Sequence, residues 1–136
     1  MIWVKVMEKE IVAYILTKAG CTHPFRVSRL LAMAEMEWLE RRGERLTGLK
    51  YVKGPGVFFI EGLKEIIDSD PCFRIHEGDP ATGRKGCVEY VCGEPALPSD
   101  VREVIDEVIR RYSGIGDMEL NEAVMSDPRF ARVAGD

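Results

Sequence analysis

Glutamine does not occur in this chain of 136 residues, and asparagine occurs once, as Asn121. Amide side chains are thermolabile, so their scarcity beside plentiful Glu, Arg, Lys and Val points to a protein from a hot environment. No apolar run reaches the length a bilayer requires, and the opening MIWVKVMEKE turns charged too soon to read as a signal peptide. The expectation is a cytoplasmic chain with no membrane partner. A positive excess is missing as well. With 23 acidic against 19 basic residues the formal charge is −4, which excludes nucleic-acid binding driven by overall charge and leaves only a local basic patch. Histidine occurs twice, as His23 and His76, so a Ser-His-Asp set or an imidazole ligand has to use one of these.

What is present is an ordinary globular composition, 46% apolar, long enough for one domain over 1–136 with a core within about 7–125. Ile11, Val12, Ile15 and Leu16 predict a first helix over 7–18, stopped by Gly20. Pro24 opens a second, with Val27, Leu31, Ala34 and Trp38 on one face, Arg41 and Arg42 at its negative end and Gly43 as its stop. After YVKGPG the apolar residues Phe59, Leu63, Ile66 and Ile67 predict a third helix over about 57–68. Next come the extended runs CFRIHE and GCVEYVC, joined by a turn-rich GDPATGRK. Placing Arg74 opposite Glu89, Ile75 opposite Val88 and Phe73 opposite Tyr90 gives this hairpin one apolar face and one opposite-charge pair. A fourth helix follows Ser99, its N-cap, with Val101, Val104, Ile105, Val108, Ile109 and Tyr112 facing inward, then a short helix over about 117–125 and a frayed tail, 126–136. The expected fold is thus α+β and mostly helical: about five helices with one β-hairpin between helices three and four, the order of a winged helix.

The segment Gly54-Pro55-Gly56 raises phosphate binding first, since backbone N–H groups at a helix start attract anions. A P-loop also needs a Lys-Ser/Thr pair, which is missing here, so Gly54 and Pro55 read as a structural hinge. Cys21, His23, His76 and Cys87 have zinc-compatible side chains but no zinc-motif spacing; no metal or other cofactor is expected. A Cys72–Cys92 disulfide is a further option, after a one-residue shift of the hairpin register. Catalysis lacks an orienting acid, an oxyanion hole and a nucleophile elbow, so no enzyme is expected. Nucleic-acid binding would use Arg84 and Lys85 at the wing tip together with Arg41, Arg42 and Arg45, against the acids Glu61, Glu65 and Asp68 on the third helix. Met36, Trp38 and Phe58 offer more apolar surface than one face must bury. For any single aromatic the core is the commoner destination, yet as a set they suggest a protein partner or a second copy.

The stretch IVAYILTKAGCTHPFRVSRLLAMAEMEWLERRGERLTGLKYVKGPGVFFIEGLKEI, with the later LPSDVREVIDEVIRRYSGIGDMELNEAVMSDPRF, resembles the Panacea (SocA-like) antitoxin-related domain family. The likeness lies in a helix built around Leu30-Leu31, a Gly-Pro hinge leading into a Leu-Lys-x-Ile segment, and a late helix ending in Tyr112. It spans about residues 11–130. Ser28-Arg29 stand where the family carries a Lys, and Ser126-Asp127-Pro128-Arg129-Phe130 where it tends to have His and Trp. The resemblance implies a non-enzymatic module that binds a toxin or presents one to a protease, with Gly54 and Pro55 in a structural role.

Overall fold

The computed structural model describes residues 2–134, with side chains from residue 7 onward. It is an α+β fold of six helices and two antiparallel hairpins. In chain order these are α1 (Ile2–Ala19), α2 (Pro24–Arg42), β1 (Lys50–Lys53), β2 (Phe58–Glu61), α3 (Leu63–Asp68), β3 (Phe73–His76), β4 (Cys87–Tyr90), α4 (Ser99–Tyr112), α5 (Asp117–Ser126) and α6 (Phe130–Ala134).

Helix α2 is the centre. His23 precedes it in an extended conformation and accepts the Phe25 N–H on Nδ1, while Gly43, at φ 74°, closes it by donating to the Leu39 carbonyl. A left-handed C-cap of this kind favours glycine. Every residue from Val27 to Leu39 is buried, so the amphipathic reading of one inward face is too narrow. Helices α1, α4, α5 and α6 all pack on it, and that packing encloses charged residues of α2 itself and Glu8 of α1. Fully buried Glu35 is the clearest case. Its carboxylate accepts the N–H groups of Leu46 and Thr47 and the Thr47 hydroxyl, and it lies 3.1 Å from Arg45 Nε. Glu8 accepts the Gly48 N–H at 2.8 Å. Two carboxylates from neighbouring helices thus hold the connection from α2 to β1, satisfying backbone donors that no ladder reaches. Burial, and then the adjacent Glu35 charge, push the Tyr51 phenol well above its ordinary pKa.

The second hairpin has the expected register, with Phe73, Arg74, Ile75 and His76 facing Tyr90, Glu89, Val88 and Cys87. The first hairpin was not expected. Residues 58–61 form a strand instead of the first half of a helix, paired with β1 from Lys50↔Glu61 to Lys53↔Phe58. The cause is the turn. Pro55 fixes its own φ, Gly56 takes φ 73°, and Gly54 N–H reaches the Val57 carbonyl at 2.8 Å, so the chain doubles back. Along β2 burial alternates: Phe58 and Ile60 face in, Phe59 and Glu61 face out. Gly62, at φ 90°, then lets the short α3 begin.

At the other end, Ser99 is the first residue of α4, not its cap, and Pro98 holds the cap position. The tail is not frayed up to Ala134. Phe130 and Val133 of α6 are buried, and Phe130 packs its ring 4.9 Å from Phe58 and 6.3 Å, edge-on, from Tyr51. Residues 135 and 136 lie outside the described residues.

Candidate functional site

A cleft of about 560 Å³ opens between the start of α2, strand β2, helix α3 and the second hairpin. Its walls are mostly apolar: Phe25, Ile60, Leu63, Ile67 and Val88. At its rim stand two large side chains that the core does not take, Phe59 at 57% exposure and Ile75 at 51%. Phe59 follows from strand periodicity, since it faces the opposite side from its buried neighbours Phe58 and Ile60; Ile75 shares the face of buried Phe73 and is exposed nonetheless.

At the floor lies Arg29, 3% exposed. Its guanidinium is stacked between the Phe25 and Phe58 rings, 3.8 and 4.1 Å from their centroids. Nε and Nη2 donate to Asn121 Oδ1 at 3.0 and 2.9 Å, Nη2 also to the Phe58 carbonyl at 3.0 Å, and Nη1 to Ser28 Oγ at 2.8 Å. Asn121 in turn donates through Nδ2 to the Gly56 carbonyl at 2.9 Å. The one asparagine of the chain therefore joins α5, the Pro55-Gly56 turn and the buried arginine. No carboxylate among the described residues pairs with Arg29, and burial lowers its pKa to about 10.

Backbone groups also point toward open edges. Val88 exchanges hydrogen bonds with Thr22 at 3.0 and 2.9 Å, so Ile75, opposite Val88, turns its own N–H and C=O away from β4. On β2 the Phe58 carbonyl already reaches outward to Arg29, and by the same alternation Ile60 turns its polar groups outward too. Neither Ile60 nor Ile75 has another backbone partner among the described residues. Strand edges thus border the cleft on two sides.

Of the residues singled out in the sequence, His23, His76 and Cys87 line the cleft, and the protein-binding and basic candidates do not. Met36, Trp38 and Phe58 are buried and supply no free surface. Met36 and Trp38 sit on the all-round buried α2, and Phe58 occupies the inward phase of β2. The basic candidates are largely neutralised by the chain itself. Arg41 pairs with Glu107 at 2.8 Å and Glu37 at 3.5 Å, Arg42 with Asp100 at 2.8 Å, Arg45 with Glu35, and Lys85 with Asp117 at 3.2 Å. Arg84 bonds to the Glu77 carbonyl at 3.3 Å. Gly54 and Pro55 belong to a hairpin turn instead of a strand-to-helix hinge.

The four cysteines form two disulfides, Cys21–Cys87 and Cys72–Cys92. The second needs no register shift, because β4 ends at Tyr90 and Gly93, at φ 92°, redirects the chain just past Cys92. The zinc-like set is therefore engaged otherwise: both sulfurs are bonded, His23 caps α2, and His76 Nε2 lies 2.9 Å from Glu89 Oε1. Among the described residues no three His, Cys, Asp or Glu side chains converge as a metal site.

Sequence reasoning missed Arg29, Asn121, Phe59 and Ile75 as members of one site. The usable signals were the solitary asparagine and the alternation within Phe58-Phe59-Ile60. Compared with known proteins, the chain matches no family model, no curated protein and no solved structure.

Proposed function

We propose that this chain is a non-enzymatic protein-binding module of antitoxin or proteolytic-adaptor type, and that the cleft between the two hairpins is its binding surface. One observation carries the reading: an apolar cleft whose rim holds two large, half-exposed hydrophobic side chains, Phe59 and Ile75. The resemblance to the Panacea family supports the same class of function, with a toxin-like protein as the partner and a second copy of the chain as the other occupant to test. A nucleic-acid regulator using Arg41, Arg42, Arg45, Arg84 and Lys85 is less well supported, since four of those five cations already face carboxylates of the chain. In this reading the protein works in the cytoplasm of a heat-adapted organism, a setting in which intracellular disulfides persist.

The test is capture of partners from the native host by the tagged chain and by a Phe59→Ser variant, with nuclease and at two salt concentrations. A protein that survives nuclease and high salt on the parent chain and disappears with Phe59→Ser supports the proposal. Because Phe59 is exposed, the variant should keep its stability within about 0.5 kcal/mol. Recovery of nucleic acid that washes off with salt, unaffected by Phe59→Ser, overturns it.

A further inference from the structure

We infer that the cleft receives the free C-terminus of an extended partner segment, its terminal carboxylate meeting Arg29 and an apolar side chain lodging between Phe59 and Ile75. The inference rests on the protein-binding reading and names the part of the partner that enters.

The charge argument comes first. A buried cation is normally paired, because neutral hydrogen bonds satisfy its donors without neutralising it. Arg29 is buried on neutral acceptors alone: an asparagine oxygen, a serine hydroxyl and a main-chain carbonyl. Those acceptors take four of its five N–H groups, leaving one Nη1 hydrogen without a partner among the described residues. The cost of desolvation is visible in its lowered pKa. At the rim Lys64 pairs with Asp68, and exposed Glu77 is screened by solvent, so among the described residues Arg29 is the one uncompensated charge deep in the cleft.

The shape argument selects a chain end. An Asp or Glu inside a continuing chain would carry two flanking peptide units against the apolar walls, each with polar groups to satisfy. A C-terminus carries one, and the outward N–H and C=O of Ile75 can pair with it as an added strand. The carboxylate then supplies the anion that charge-assisted bonding to a guanidinium favours.

To test this, the full chain with intact disulfides is immobilised and a pool of random heptapeptides with free C-termini is selected on it. Recovered peptides are remade as the acid, as the C-terminal amide, and with a Gly-Gly extension. The acid should bind about 10- to 100-fold tighter than the amide, the range expected for a charged hydrogen bond. The acid, and not the amide, should also shift the Arg29 Nε–Hε resonance. This comparison needs no variant of Arg29, whose replacement can unfold the protein; Arg29→Lys serves as a second probe and should narrow the acid–amide gap. Peptides that bind equally well as amides and are lost with Phe59→Ser overturn the carboxylate inference and leave the protein-binding reading standing. Recovery of no peptide, together with a captured protein partner indifferent to Phe59→Ser, sinks both.

Discussion

The two hairpins have the same number of paired residues and are held by opposite means. In β1–β2 the buried side chains Tyr51, Phe58 and Ile60 join the core, and the turn is tied down by Asn121 and, through it, by Arg29. In β3–β4 Phe73 and Val88 are the buried members, while Arg74, Ile75 and His76 are all exposed. A two-stranded hairpin that buries so little is marginal by itself. Two disulfides make up the difference: Cys21–Cys87 joins β4 to the α1–α2 connection beside the Thr22↔Val88 bridge, and Cys72–Cys92 closes the open end of the hairpin. A small domain has two ways to keep a peripheral hairpin, a buried polar network or a covalent staple, and this one uses each once. The cleft lies between them.

The largest expected effect comes from breaking the longer staple. Cys21 and Cys87 are 66 residues apart in sequence, and chain entropy assigns such a crosslink about 4 kcal/mol. Replacing both by Ser should lower the denaturation midpoint accordingly, and hydrogen exchange should show opening of β3–β4 with β1–β2 still protected. Uniform loss of protection across both hairpins would break the comparison. The Cys72–Cys92 bond, with a separation of 20, should be worth about 3 kcal/mol by the same reasoning. Its removal (Cys72→Ser with Cys92→Ser) should loosen the strand ends first, read out as faster exchange at Val91, whose N–H bonds to the Cys72 carbonyl at 2.9 Å.

The converse experiment is Asn121→Ala. It removes the acceptor shared by Arg29 Nε and Nη2 and the donor to the Gly56 carbonyl, leaving a buried guanidinium short of partners. A cost of about 2 kcal/mol is expected, with exchange accelerating at the 54–57 turn and unchanged in β3–β4. If the turn stays protected, the polar network is not what holds it.

The same contrast explains which parts of the fold were legible in the sequence. β3–β4 could be registered residue by residue because its exposed positions alternate charge and apolar groups, and only one register satisfies both faces. Helix α2 announced its ends with Pro24 and Gly43. The run Phe58-Phe59-Ile60 carries no such mark: its spacing to Leu63 and Ile67 suits a helix as well as a strand, and the pairing with Lys50–Lys53 is a tertiary fact. Arg29 was harder still. A lone arginine on a helix reads as solvent-facing, and it is buried only because Asn121, far along the chain, and the Phe58 carbonyl come to meet it. The candidate site was illegible for the same reason, its walls coming from elements scattered between residues 23 and 88.

The smallest effect should appear only in acid. Asp127, between α5 and α6, is held below its ordinary pKa of 3.8 chiefly by the Arg129 side chain, whose Nη2 lies 2.8 Å from Oδ2, and further by the Arg129 N–H, against a smaller opposing pull from burial. A depressed carboxylate stabilises the fold fully above 3.8 and loses that contribution as pH falls through its lower folded value. Arg129 also reaches Glu37 and Glu40 at 3.0 Å, so Asp127 is one of three carboxylates that dock it and its own share stays modest. What moves should be α6, whose Phe130 lies against Phe58 and Tyr51. Acid should therefore loosen β1–β2 before β3–β4, even though Asp70 at the head of β3 is itself depressed by Lys9, because the two disulfides keep the second hairpin closed while its carboxylates protonate. Exchange rates followed from pH 5 to 2 decide it. In Asp127→Asn the β1–β2 rates, corrected for intrinsic chemistry, should lose most of this dependence; if β3–β4 opens first, covalent closure is not the stronger of the two devices at low pH.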